Sequence, residues 1–127
     1  MSESERHSYL KDHQLQGEAI HINLAREAET LIAEAKQAPQ GRAARTLVKD
    51  GPLRITLLGL KEGAAIADHR AGGPVSIEVV TGSVVIEVGA AAYELAAQEA
   101  LVLDADVVHS VRATADAAIQ LVIALAN

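Results

Sequence analysis

The sequence predicts an all-β sandwich or barrel preceded by one α-helix. Three observations carry that reading. From Arg42 onward apolar residues recur at every second position, in short segments separated by turn-forming residues. No helical pattern of about 10–15 residues interrupts these segments, which argues against a parallel α/β sheet. The apolar residues are almost all Ala, Val, Leu and Ile, because the chain has no Phe and no Trp, and Tyr9 and Tyr93 are its only aromatics. Val and Ile are stiff at χ1 and fit a pleated surface.

Taken in order, residues 1–19 are polar and aperiodic and read as a loose arm. Residues 23–37 read as the helix. Leu24, Ala28, Leu31, Ile32 and Ala35 fall on one face, and Glu27, Glu29, Glu34 and Lys36 lie mostly on the other. Asn23 is the candidate N-cap, since its short side chain can accept from the unpaired N–H groups of the first turn, and Pro39 with Gly41 supplies the stop. A helix this short needs tertiary support, so its apolar face must dock. The candidate strands are 43–49, 53–60, 64–68, 75–81, 83–88, 91–97, 100–104, 107–114 and 117–125. They are punctuated by Asp50-Gly51-Pro52, Lys61-Glu62-Gly63, Gly72-Gly73-Pro74, Thr81-Gly82-Ser83 and Gly89. The Ala-rich stretch Ala90 to Ala100 has helical propensity, but Gly89 and the alternation at Tyr93-Glu94-Leu95 fit a hairpin better. The last strand, Ala117 to Ala126, is apolar on both faces and must be covered twice, under the helix or in a subunit contact. This divides the chain into an arm and helix, 1–41, and a barrel, 42–127.

At 127 residues, 50% apolar and 22% charged, the chain makes one globular domain. It has no Cys, which excludes disulfides, thiolate metal sites and Cys nucleophiles. No apolar run approaches the roughly 18–20 residues of a membrane span. The polar start, Met1 to Leu10, shows no signal peptide, so the expected location is the cytoplasm. Seventeen acidic against 11 basic residues leave a net charge of −6, which speaks against a phosphate-binding surface. The shortage of aromatics removes the stacking platforms used for single-stranded nucleic acid. The expected partners are therefore a small molecule and a second copy of the chain, with no nucleic acid and no membrane.

The segment that opens at Gly63 resembles the first motif of the cupin superfamily. In that motif a Gly is followed after five residues by a His-x-His pair, then by a Glu and a later Gly. Here the frame reads Gly63, His69, Ala71 at the second His place, Val75 at the Glu place, and Gly82. The stretch Gly73 to Gly82 resembles the strand and turn that carry the motif. Asp104-Ala105-Asp106-Val107-Val108-His109 resembles the end of the second motif, Pro-x-Gly-x-x-His. Asp104 stands for the Pro, Asp106 for the Gly, Gln98 for the leading Gly and Ala113 for the trailing Asn. The resemblance covers roughly residues 45–125, and it keeps the spacing better than the chemistry. It implies an antiparallel jelly-roll barrel, commonly dimeric, with a pocket at one end and the helix packed outside.

Metal-binding cupins hold a divalent ion with three His and one Glu. Carried over residue by residue, His69 and His109 remain, while Ala71 and Val75 offer no side-chain lone pair. Two imidazoles are a poor cage, since open zinc and non-haem iron sites typically use three protein ligands. Asp106, three residues before His109 in a turn the sequence predicts, is the candidate third ligand. Asp68 should point away from His69, and Glu78 away from the pocket. His7, His13 and His21 could contribute only if the arm folds over the barrel mouth. Three readings of the His69/His109 pair stay open: a binding or relic pocket without tightly held metal, an altered metal site completed by Asp106, an arm histidine, water or ligand, and two unrelated histidines.

Other signals are weaker. Asp104 and Asp106 read as solvated loop carboxylates, and Ser110 should point away from His109. Gly72-Gly73 reads as a tight turn or an anion nest. Arg54, Arg70 and Arg112 are either solubilising charges or guanidinium groups near the pocket mouth that could fix an anion. Three functional expectations follow. The leading one is a small-molecule-binding barrel whose pocket is lined by Ile77, Val79 and similar aliphatics, with His69 and His109 as polar handles. The alternatives are a metal-dependent dioxygenase, isomerase or lyase with a reduced ligand set, and a dimeric interaction module built on the helix and last strand. Whether the protein is an enzyme stays open.

Overall fold

The computed structural model describes residues 19–126. The expected loose arm, with His7 and His13, therefore lies outside the described residues apart from its last position, Ala19. Among the described residues one helix, α1 (Leu24–Gln37), precedes nine strands: β1 (Arg42–Asp50), β2 (Leu53–Leu60), β3 (Ala65–His69), β4 (Val75–Thr81), β5 (Ser83–Val88), β6 (Ala91–Ala96), β7 (Ala100–Leu103), β8 (His109–Ala113) and β9 (Ala117–Ala124). Each matches a segment read from the alternation to within a few residues, and β6 is a strand despite its alanines. The reason is tertiary: all six residues of β6 pair with β5 across the Gly89 turn, which overrides intrinsic propensity.

The strands form two antiparallel sheets, one of five in the order β1-β2-β9-β4-β7 and one of four in the order β3-β8-β5-β6. Their facing sides enclose an aliphatic core. Leu60, Ile77, Val79 and Ile119 come from the first sheet, and Val84, Ile86, Leu95, Val111 and Ala113 from the second. Strand crossings between the sheets require sharp corners. At one of them, Gly82, φ is +84° and an added Cβ would run into the Asp116 carbonyl oxygen, so only glycine fits.

α1 packs on the outer side of the five-stranded sheet. Asn23 caps it as expected, accepting from the Arg26 N–H at 3.1 Å. Ala28 and Leu31 are buried against Leu47, Val48, Leu57 and Ala118, and Ala35 is buried one turn further along the helix. The close approach depends on Gly59 of β2, where a Cβ would lie 2.5 Å from the Leu31 backbone carbon and oxygen. Glu27 departs from the expected exposed face. It is 8% exposed and pairs with Arg45 of β1 at 2.5 Å, which places a charged contact at the helix–sheet seam. The helix end is tied down through Asp116, between β8 and β9. Its carboxylate accepts the Glu62 N–H at 2.9 Å and meets Lys36 Nζ at 3.4 Å.

The two apolar faces of β9 find different cover. Ala118 lies under α1, and Ile119, Leu121 and Ile123 face the space between the sheets. No described helix is long and apolar enough to cross a membrane.

Candidate functional site: a cavity between the sheets

Strands β2 and β9 turn Thr56, Leu58, Ile119, Leu121 and Ile123 inward on matching registers, because Leu58 pairs with Ile119 and Thr56 with Leu121. Opposite them stand β3 and β8. Between these walls lies an open cavity of about 470 Å³. Its volume falls in the usual range for small-molecule sites, about 300–1,000 Å³. The walls are overwhelmingly aliphatic, and the polar residues lining it are Arg42, Thr56, His69 and His109.

The two histidines, forty positions apart in sequence, are direct cross-strand partners at the end of the β3–β8 ladder. Their ring centroids are 5.6 Å apart and their planes cross at 80°, an edge-to-face contact. A bulge makes this meeting possible. Ile66 pairs with Val111, so regular alternation would set Asp68 opposite His109. The register instead slips by one residue between Ile66 and His69. A one-residue slip exchanges the faces of a strand, and here it exchanges a carboxylate for an imidazole at the cavity wall. Asp68 is exposed and is not part of that wall.

The two imidazoles have different surroundings. His109 is 5% exposed, and its Nδ1 donates to the Val107 carbonyl at 3.0 Å. A carbonyl can only accept, so the bond puts the proton of the neutral ring on Nδ1 and leaves the lone pair at Nε2. His69 is exposed at the rim. One ring is thus fixed and deep, the other accessible.

Ala71 and Val75, at the remaining two motif places, line the same cavity. The four positions therefore line one cavity, with two imidazoles and two hydrocarbon groups. This donor set does not fit a divalent ion. Such sites need about three protein ligands, and among the described residues no three His, Asp or Glu side chains are grouped to hold one. Asp106, the expected third ligand, is exposed and absent from the wall. It sits in a left-handed turn with φ +63°, where its N–H donates to the Ala71 carbonyl at 3.0 Å, so its backbone ties the loop before β8 to the cavity rim.

Asp106 and Gln98 are the two described non-glycine residues with positive φ, at +63° and +72°. Both occupy places where the motif has glycine. At both places the backbone takes the left-handed conformation that glycine adopts most easily, so each side chain there costs conformational energy.

Several expected positions need correction. Ile77 and Val79 do face inward, but both are fully buried in the packed core and do not line the cavity. Their strand contributes Val75 alone, since the sheets close over the rest of β4. Arg54, Arg70 and Arg112 are not at the cavity. Arg54 donates to the carbonyls of Gly51 and Leu53 in its own turn, Arg70 is exposed, and Arg112 lies in a shallow trough with Glu87 and Glu94. The guanidinium at the cavity belongs to Arg42, which sequence reasoning missed. Arg42 opens β1 and alternates with Ala44, but only the pairing Ala44–Leu58 shows that this face of β1 is the inner one. The expectations for Ser110 and Glu78 agree with the structure, as neither lines the cavity.

No protein-family model matches the chain, and no curated protein sequence does. Solved structures do. A conserved protein of unknown function from Streptococcus pyogenes superposes with a TM-score of 0.72 at 22% identity, covering 93% of this chain and 97% of that one. A cupin superfamily protein from Desulfitobacterium hafniense gives 0.66 at 13% identity, covering 91% and 97%. A salicylate 1,2-dioxygenase from Pseudaminobacter salicylatoxidans gives 0.66 at 16% identity, covering 77% of this chain and 33% of that one. At such identities the likeness is one of fold, and it agrees with the two antiparallel sheets and the converging motif positions: the chain has the jelly-roll fold of the cupin superfamily.

Proposed function

We propose that this protein binds a small, largely apolar molecule in the cavity between its sheets, with His69 and His109 as the polar handles. The observation that supports this most is the paired imidazoles, 5.6 Å apart, on the wall of an otherwise aliphatic space of about 470 Å³. Aliphatic walls supply affinity through burial, at roughly 25 cal/mol per Å². The few polar groups set orientation. His109 offers an oriented acceptor at Nε2 in its neutral form, and His69 can rotate to meet the ligand at the rim.

The test is a fragment titration followed by NMR on the intact chain. Shifts are expected in the methyl groups of Val75, Val111, Ile119 and Leu121, and His109→Ala should weaken the binders about tenfold, as loss of an oriented hydrogen bond worth about 1–1.5 kcal/mol predicts. Fragments that bind but leave those methyl groups unshifted would overturn the proposal. So would stoichiometric metal retained through dialysis and lost in His69→Ala, which would favour the metal-dependent alternative.

We also propose that the protein is a homodimer. Across the outer face of the five-stranded sheet, beyond α1, Ile55, Val122, Ser76 and Val102 form one row in register. Val102 is 69% exposed. Light scattering on the intact chain should give twice the monomer mass, and Val102→Asp should lower it. A monomer at high concentration would exclude this assembly.

A further inference from the structure

The cavity and the rest of the molecule carry opposite charge. The chain has a formal net charge of −6, yet among the described residues no acidic side chain lines the cavity. Among the described residues, every titratable group on that wall is basic: Arg42, His69 and His109. Arg42 is also held in place. Its Nη1 donates to the Ala65 carbonyl of β3 at 3.1 Å, and its Nη2 donates to Gln40 Oε1. The first contact spans the two sheets at their open edge, because Arg42 begins β1 and Ala65 begins β3. Both acceptors are neutral, so they orient the guanidinium without cancelling its charge. A guanidinium has five N–H donors in a planar fork, and two hydrogen bonds leave donors free.

A fixed cation with no acidic partner among the described residues, beside low-dielectric aliphatic walls, favours an anion more than it would in open solvent. We infer that the cavity is selective for small organic monoanions, with a carboxylate held by Arg42 at the rim and a hydrocarbon body lying against Val75, Val111 and Leu121. This rests on the reading of the cavity as a ligand site and adds to it the charge of the ligand and the residue that selects for it. The histidines alone would serve a neutral ligand equally well, so the class is assigned by Arg42.

The probes are 4-phenylbutyrate and 4-phenylbutyramide, which share a carbon skeleton and differ in charge. Each is titrated into the intact wild-type protein, Arg42→Gln and Arg42→Lys at neutral pH, with the cavity methyl groups followed by NMR. The acid is expected to bind wild type at least tenfold more tightly than the amide. Arg42→Gln should bring the acid to the affinity of the amide and leave the amide unchanged, and Arg42→Lys should keep part of the preference. Equal affinities in wild type, or a preference that survives in Arg42→Gln, would overturn the inference while leaving the cavity a ligand site. If neither probe shifts the cavity methyl groups, the inference fails together with the reading beneath it. Should Arg42→Gln not fold, because it unties β1 from β3, the wild-type ratio and Arg42→Lys still decide the matter.

Discussion

Leu58 and Gly59 are neighbours on β2, and they face two very different environments. On the outer side, Gly59 and Ala118 form a strip of small residues, and α1 lies so close that no Cβ can be added at Gly59. On the inner side, Leu58, Ile119 and Leu121 border an open cavity. Both faces are aliphatic, so hydrophobicity does not explain the difference. Shape does. A helix presents a ridge that settles onto a flat strip, whereas a second sheet meets the first along a curved surface and leaves gaps unless large side chains fill them. This chain has no Phe or Trp to do so, and the cavity's opposite wall offers Ile66, Ala71, Val111 and two imidazoles.

The contrast breaks most sharply under a matched pair of enlargements. Gly59→Val forces a side chain into the Leu31 backbone and is expected to cost about 3 kcal/mol or more, read by urea denaturation. Ala71→Val adds bulk on the cavity side, where space exists, and should change stability by less than about 1 kcal/mol while weakening any cavity ligand. Comparable losses from both would show that the cavity is closed in solution. Between these in magnitude lies Gln98→Gly, which should raise stability by about 1 kcal/mol, because glycine adopts a φ of +72° without the Cβ penalty. A loss on that substitution would mean that the Gln98 side chain contributes more than its backbone costs.

The smallest effect concerns the anchor at the end of α1. The Glu62 N–H, with Lys36 beside it, holds the Asp116 carboxyl below its ordinary value of 3.8. A carboxyl whose folded pKa is depressed stabilises the fold above its unfolded pKa and loses that contribution as pH falls through the folded value. Asp116→Asn should therefore lower the melting temperature slightly at neutral pH and flatten its decline below about pH 4. An unchanged acid limb would show that the tether is screened away by solvent.

Much of this was legible in the residues. The period-two pattern and the glycine-marked turns located all nine strands, and Asn23 with Pro39 and Gly41 framed the helix, because these features act over a few neighbouring residues. Positions 69, 71, 75 and 109, picked out by the cupin-like spacing, all line the one cavity. Other features depended on partners distant in sequence. Glu27 looked solvent-facing until Arg45 was brought beneath the helix. Ile77 and Val79 had the right parity for the cavity, but parity says only which way a side chain points and not how deep the opposing sheet lies.

By itself, then, the sequence determined the element types, their order and the inward face of most strands, since period, turn chemistry and capping are local properties of the chain. Only the tertiary structure decided which residues meet at the cavity. The bulge before His69 turned an imidazole inward where strict alternation would have turned in Asp68, and the β1–β2 register brought Arg42 to the rim. Register and bulges are set by the fit of whole sheets against one another, and that fit is a sum over contacts which no short stretch of residues contains.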